Sequence, residues 1–539
     1  MKTRLIKISI LIAIIVSFCF EPADAQVLNE GTFKIGRTFG LIDAWYVDSV
    51  NMDELTEKAI VEILKNLDPH SVYISAKDVK EMNEPLNGNF DGIGIQFNLL
   101  HDSIIVVEPI AGGPSEKAGL RPGDRIIEID GENVAGKGIS TAGVRTRLMG
   151  TRGTKVSIRI FRKGEAGILD FTLTRDRIPI NSLDAAYMLD RETGYIRLNK
   201  FAITTDSEFT DAIEILIKSR MKNLVLDLRG NGGGIMAAST SLLEKFFSDK
   251  KLMVYLEGRK TPRQDYNSAG GGSLASARIV VLVDENSASA SEIVAGALQD
   301  WDRGVIIGRP TFGKGLVQHG YYLTDGSMIR LTVARYYTPT GRSIQSPYNE
   351  GYDKYMENYY TRLSNSGLTG DTIAIPDSLS FKTMVSKRTV YGGGGIMPDV
   401  FVPVDTSGYS DYYRNLVRRG VINSFALEFF DQNRSRLTSE YKNFDDFREK
   451  FSFSEKDISD FIKEGEKAGV KYDDEQFNIS KKEILVVLKA VVATNMWQTN
   501  EYFRLVNEDD KVIKKALELI SDPAAYNNIL EGRKSGTGL

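Results

Sequence analysis

Two stretches of this sequence constrain its fold more than any others. Asn223-Leu-Val-Leu-Asp-Leu-Arg229 and Arg278-Ile-Val-Val-Leu-Val-Asp284 are nearly unbroken apolar runs, each followed by a turn and then by helical spacing. A strand with one wet face alternates apolar and polar residues. One that is apolar at successive positions must be covered on both faces, as in the sheet of a layered core. Strand-like and helix-like segments keep alternating from Ala185 to about Val404, which predicts a mixed α/β layered core over residues 177–406. Inside it, residues 346–391 are polar, Tyr-rich and without period, and read as an insertion looping from that core.

The flanking regions follow other patterns, so the whole is a multidomain α/β chain. Leu55, Ala59, Ile60, Ile63 and Leu64 recur at helical spacing, and Asp68-Pro69-His70-Ser71 breaks that spacing because proline disfavours helix at the residue before it. We expect an N-terminal helical region over 26–85. From 86 to 176, short β-rich runs (Gly94 to Phe97, Ile104 to Val107, Arg125 to Ile129, Lys155 to Phe161, Ile168 to Leu173) alternate with Gly/Pro/Asp turns. One short helix capped by Ser140 sits among them, and the module reads as a small, partly open β-barrel. Beyond Ser407 the segments are amphipathic and charged, which predicts a helical domain over 407–539. The insertion and this tail leave room for a homodimer contact or for docking of an adaptor protein.

Composition narrows the function. Lys plus Arg number 68 and Asp plus Glu 72, a net charge of -4 that gives no electrostatic footprint for nucleic acid. One cysteine excludes a disulfide scaffold, and with only three histidines a Cys/His zinc site is disfavoured; no cofactor or metal is expected. Lys2, Arg4 and Lys7, the apolar run Ile8 to Phe20 and Ala23-Asp24-Ala25 have the form of a signal peptide over 1–25, so an exported, periplasmic protein is expected. The run is shorter than the about twenty residues a spanning helix takes, which makes an uncleaved membrane anchor the lesser alternative.

The chemistry-bearing residues lie in three segments. In Asn286-Ser287-Ala288-Ser289-Ala290-Ser291-Glu292, small residues separate a buried strand from an apolar helix. A serine there holds its hydroxyl near free N–H groups and the positive end of the helix dipole, which favour an oxyanion. A serine in that place is equally an N-cap, and local physics does not choose among the three.

Lys314 stands between Gly313 and Gly315 in a strand-like segment. Burial lowers a lysine pKa from about 10.4 and yields a neutral amine able to serve a serine as base; in water the same side chain is an ordinary cation. Gln318 shares a strand face with Lys314 by the period of two, and its amide can orient the amine, or it is simply a polar residue on an exposed face. His319, on the opposite face, is the alternative base for Ser-His hydrolysis, whereas His70 and His101 read as structural or solvent-exposed. Finally, Asp227-Leu-Arg-Gly-Asn-Gly-Gly-Gly234 ends a strand in a glycine turn whose N–H groups can face developing negative charge. It lacks the spacing of a phosphate loop.

Taken together, Asp227-Leu-Arg-Gly-Asn-Gly-Gly-Gly, Ser287-Ala-Ser-Ala-Ser-Glu and Thr311-Phe-Gly-Lys-Gly-Leu-Val-Gln resemble the carboxyl-terminal processing peptidases, or tail-specific proteases. Tyr336-Tyr-Thr-Pro-Thr-Gly-Arg-Ser-Ile344 and Gly395-Ile-Met-Pro-Asp399 fit as well, and the likeness runs from about Leu67-Asp-Pro-His-Ser71 to Asp399. The resemblance implies a crotonase/Clp-protease-like core with an inserted PDZ β-barrel, and a serine endopeptidase with Ser289 as nucleophile, Lys314 as general base and Gln318 as its orienting partner. It puts the oxyanion hole on the backbone of Gly233 and Ala290. It also makes Gly92-Ile93-Gly94-Ile95 the PDZ loop that holds the C-terminal carboxylate of a protein or peptide substrate, which adds as a strand beside Ile95 to Phe97. Two departures stand out: the 346–391 insertion, and Gly232 where relatives often have proline. A catalytically silent PDZ-containing scaffold is the alternative to an enzyme.

Overall fold

The computed structural model describes residues 29–100, 102–366 and 377–533. The signal segment 1–25, His101 and the middle of the insertion lie outside the described residues. The chain divides at Leu67 into two units. In the first, helices Glu30–Trp45 and Met52–Lys65 are capped by Asn29 and Asn51, whose side chains accept from the N–H groups of Thr32 and Glu54 at 2.9 and 3.2 Å.

The helical region expected over 26–85 therefore ends earlier. After Asp68, Val72–Ile74 is a strand paired antiparallel with Met328–Tyr337, and a further helix, Ala76–Asn87, runs up to Gly88. Pro85 lies within that helix and does not end it. Asp68 makes the break: its carboxylate accepts from the N–H groups of His70 and Ser71, both at 2.8 Å, and from the Ser71 hydroxyl at 2.6 Å, turning the chain into the strand.

The β-rich module forms one antiparallel sheet in the order Ile95–Leu100, Ser103–Pro109, Arg125–Ile129, Lys155–Phe161, Ile168–Thr174. Helix Thr141–Leu148 closes it, with Ser140 accepting from the Gly143 N–H at 3.1 Å. The pair Asn89–Gly92 and Asp176–Pro179 ties its entry to its exit.

The layered core is a six-stranded sheet in the order Leu183–Met188, Thr193–Leu198, Asn223–Asp227, Arg278–Val283, Val305–Gly308, Val400–Phe401, parallel except for the first pair. Its two apolar runs are covered on both faces. Leu224, Leu226, Ile279, Val281 and Val283 pack with the layer of helices Thr205–Lys218, Met236–Glu244 and Ala290–Asp300. Val225, Val280 and Leu282 point the other way, onto Val512, Ile513, Ala516, Leu519 and Ile520. Those residues belong to helix Lys511–Ser521, which with Pro523–Leu530 forms the far layer. The tail is thus two pieces rather than one helical domain. Residues 411–506 enclose their own Phe-rich core, and the last two helices complete the layering of the six-stranded sheet. A second, antiparallel sheet holds Met328–Tyr337 between its neighbours and carries Leu316–Tyr322 along it.

Candidate active site

Strand Arg278–Val283 delivers the chain to a tight turn, and Ser289 stands at the start of helix Ala290–Asp300 with φ 55° and ψ -112°. A non-glycine residue there costs about 1–3 kcal/mol and persists only where the surroundings impose it. The flanking serines are spent on structure. Ser287 donates to the Leu228 carbonyl at 2.8 Å, Ser291 to the Asn231 carbonyl at 2.8 Å, and both are fully buried. Of the three, Ser289 alone lines a cleft of about 460 Å³, together with Gly232–Gly234, Lys314, Gln318, Arg330 and Tyr336.

The glycine turn presses against the Ser289 turn. A Cβ on Gly233 (φ 97°) would come within 2.7 Å of both the Ala288 carbonyl and the Ser289 Cβ, so only glycine allows this approach. The Gly233 N–H donates to Asn231 Oδ1 at 2.9 Å. The Ala290 N–H, at the first helical position, has no acceptor among the described residues.

Lys314 Nζ donates to Gln318 Oε1 at 2.9 Å. Burial lowers the lysine pKa, and the Arg330 charge lowers it further against the opposing pull of Glu292 and Asp68. The strand starts at Leu316 rather than before Lys314, and a bulge falls between Val317 and Gln318, so the simple period of two does not account for the pairing. Gln318 is instead held from behind: its amide nitrogen donates to the His70 carbonyl, which leaves Oε1 for the amine. The backbones at Ser289 and Lys314 are joined by Tyr336, whose hydroxyl donates to the Lys314 carbonyl at 2.6 Å and lies 3.1 Å from that of Ser289.

In the β-rich module, the edge of Ile95–Leu100 opposite Ser103–Pro109 has no partner strand among the described residues. Gly94 (φ 73°) lies where a Cβ would be 2.8 Å from Ile178. Gly92 closes the pair with Asp176, and Ile93 turns its side chain into the module core while its carbonyl accepts from the N–H and hydroxyl of Ser115 at 3.0 and 2.7 Å.

Comparison with known proteins follows this layout. Residues 192–351 match peptidase family S41, 92–173 match the PDZ domain and 412–498 match a family of unknown function. The carboxy-terminal processing protease CtpB of Bacillus subtilis (strain 168) is 36% identical over 329 residues, which cover 60% of this chain and 68% of that protein. The carboxy-terminal-processing protease of Bartonella bacilliformis is 38% identical over 326 residues, covering 59% and 74%. The chain belongs to the carboxy-terminal processing proteases of peptidase family S41. Among solved structures, the photosystem II D1 C-terminal processing protease shares 31% identity over 59% of this chain and 85% of its own, with a TM-score of 0.35.

Two residues of this S41 protease carry more than the sequence suggested. Glu292, fully buried, accepts from the N–H groups of Ser289, Gly313 and Lys314 at 2.8, 2.7 and 2.9 Å and from the Thr311 hydroxyl at 2.6 Å. It thereby ties the Ser289 turn to the Lys314 loop. Burial raises its pKa, and those four donors offset part of that rise. His70, read as structural or exposed, orients Gln318 through its carbonyl, while its ring meets the Tyr355 hydroxyl at 3.2 Å. Burial first, and the Lys314 charge second, bring that imidazole down to about 4, so it is neutral near pH 7. Tyr355 belongs to helix Tyr352–Ser366 of the insertion, which was expected to have no regular structure. His319 is exposed, stacks edge-on against Tyr321 and does not line the cleft.

Proposed function

We propose that this S41 protease is an exported endopeptidase that takes the C-terminus of a protein substrate in its PDZ domain and cuts upstream of it in the cleft at Ser289. The PDZ loop Gly92–Ile95 holds the terminal carboxylate and the open edge of Ile95–Leu100 takes the tail as an added strand. The layering of the sheet between helices supports reading the core as crotonase/Clp-protease-like. The observation that carries the mechanism is the amine of Lys314, partly buried, hydrogen-bonded to Gln318 and lining one cleft with Ser289.

Lys314 Nζ, as the neutral amine, accepts the Ser289 hydroxyl proton while Oγ bonds to the scissile carbonyl carbon. The Ala290 N–H receives the oxyanion, and the Gly233 N–H joins it by exchanging Asn231 Oδ1 for that oxygen. Collapse breaks the C–N bond, Lys314 returns its proton to the leaving amine, and water then opens the ester to restore Ser289. Gln318, pinned by His70, keeps the amine aimed through the cycle. The test is cleavage of one unfolded protein carrying either an apolar or a charged C-terminus. Wild type should cut selectively by tail, and Ser289→Ala and Lys314→Ala should each lose essentially all turnover while still binding the tail. Turnover that survives Lys314→Ala overturns the reading.

A further inference from the structure

Arg330 is the unusual residue of the cleft wall. It lies on strand Met328–Tyr337, opposite Val72 on one side and Gly320 on the other, so on that second side it faces a position without a side chain. Among the described residues its guanidinium makes no ion pair and no hydrogen bond, whereas Arg197, Arg229, Arg309, Arg342 and Arg388 are all paired with carboxylates. The cleft lining holds two basic side chains, Lys314 and Arg330, and no Asp or Glu. Glu292 is close enough to bear on the Lys314 amine, yet its oxygens are taken up by three backbone N–H groups and the Thr311 hydroxyl. The remaining lining, Leu86, Ile235, Met236, Ile293, Leu316 and Val317, is apolar.

A partly dehydrated guanidinium without a counter-charge, set among apolar walls, is arranged for a planar anion that arrives with the substrate. We propose that Arg330 holds a carboxylate of the bound peptide inside the catalytic cleft and so selects what is cut there. That carboxylate is either an Asp or Glu side chain near the scissile bond or the α-carboxylate of a chain end short enough to lie in the cleft. The proposal rests on the reading of Ser289 and Lys314 as the cutting machinery and adds to it a substrate class: peptides with an anionic group beside an apolar segment.

The test uses the full-length protein and matched fluorogenic peptides that differ at one group. One pair exchanges Asp for Asn beside the cleavage point, and the other exchanges a C-terminal acid for its amide. Wild type should prefer the anionic member of at least one pair by on the order of tenfold in kcat/KM, the worth of one charge-assisted hydrogen-bonded pair. In Arg330→Gln the Asp/Asn ratio should fall to about one, or the acid/amide ratio should fall by about tenfold to the preference that the PDZ domain alone gives, and Arg330→Lys should restore part of the loss. Because Arg330 also repels the Lys314 proton, every rate changes in these variants; the ratio within a pair cancels that effect. The PDZ domain binds both members of the Asp/Asn pair alike; its own preference for a free C-terminus enters the acid/amide ratio equally in wild type and Arg330→Gln, so for that pair the change of the ratio between the two enzymes is what reports on Arg330. A collapse confined to the Asp/Asn pair names the side chain as the source, and one confined to the acid/amide pair names the chain end. An anionic preference that survives Arg330→Gln unchanged, or is missing from wild type, overturns the proposal. Failure of the catalytic reading is seen separately, as turnover by Ser289→Ala. In that case the same ratios measured as binding affinities still decide whether Arg330 takes the carboxylate.

Discussion

Two carboxylates in the protease core are equally shut away from water and are handled in opposite ways. Asp227 ends strand Asn223–Asp227 with two cations beside it, Arg229 at 2.7 Å and Arg197 at 3.0 Å, and accepts from the Tyr195 hydroxyl at 2.8 Å. Burial pushes its pKa up, but Arg229 and Arg197 more than offset this and hold it at about 2. Glu292 has only neutral donors, and its pKa stays raised. The first arrangement locks layers together, because Arg229 also reaches Asp510, the cap of the last-layer helix Lys511–Ser521, at 2.7 Å. The second joins the two loops that carry Ser289 and Lys314. A cation beside Glu292 would have repelled the proton of Lys314 and filled the cleft's own wall; backbone N–H groups hold the carboxylate without doing either.

The largest effect expected is at Asp227. Asp227→Asn leaves Arg197 and Arg229 facing each other with their shared counter-charge gone, a loss of about 3–5 kcal/mol by the usual cost of breaking a buried pair. A denaturant titration reads it directly. The pH dependence gives a sharper contrast. The folded pKa of Asp227 lies below its unfolded value, so its contribution to stability is present above about pH 4 and is lost as pH falls toward 2. For Glu292 the folded pKa is raised, so its contribution is complete below about pH 4.3 and is lost as pH rises through the folded value. Removing each carboxylate in turn should therefore change the slope of stability against pH in opposite senses, and slopes of the same sign would break the comparison.

Next in size is Glu292→Gln. One of its oxygens becomes an NH2 that meets N–H donors, a cost of about 1–3 kcal/mol for the groups left unpaired. The loss of loop register should appear in kcat, on the order of ten- to a hundredfold, with KM little changed. A variant equally destabilised but as active as wild type would reduce Glu292 to a fold-stabilising group.

How much of this was legible depends on which atoms carry the role. The strands at Asn223 and Arg278 declare themselves because both faces are apolar, and the PDZ pattern shows because its turns recur. Ser287, Ser289 and Ser291 look alike as letters; they are told apart only by where each hydroxyl goes, and that is set by backbone angles. His70 works on Gln318 through a carbonyl, an atom every residue has, so no residue type marks the position. Glu292 was visible as a letter, but nothing local said its four donors come from residues up to twenty-two positions away. The tail's amphipathic helices were plain, whereas the surface each one covers is a tertiary fact.

The insertion tests whether register can also be imposed from outside the shared core. Tyr355 and Tyr359 are spaced four apart on helix Tyr352–Ser366, hence on one face, and that face meets His70 and Phe312 with ring centroids at 5.6 and 5.0 Å. Phe312 lies two residues before Lys314, and His70 holds Gln318, so the helix packs behind both the lysine loop and the partner of its amine. Losing the hydroxyl alone removes one 3.2 Å bond to a ring that packing already fixes, so Tyr355→Phe should lower kcat by less than about threefold. Tyr355→Ala opens a cavity beside His70, should lower kcat by roughly tenfold, and should let water reach the imidazole. His70 then titrates nearer 6.5 than 4, and the acid side of the rate profile gains a step in that window that Tyr355→Phe lacks. An alanine variant with the wild-type profile and rate would leave the insertion without influence on the amine, and the pinning of Gln318 would then be the work of the core alone.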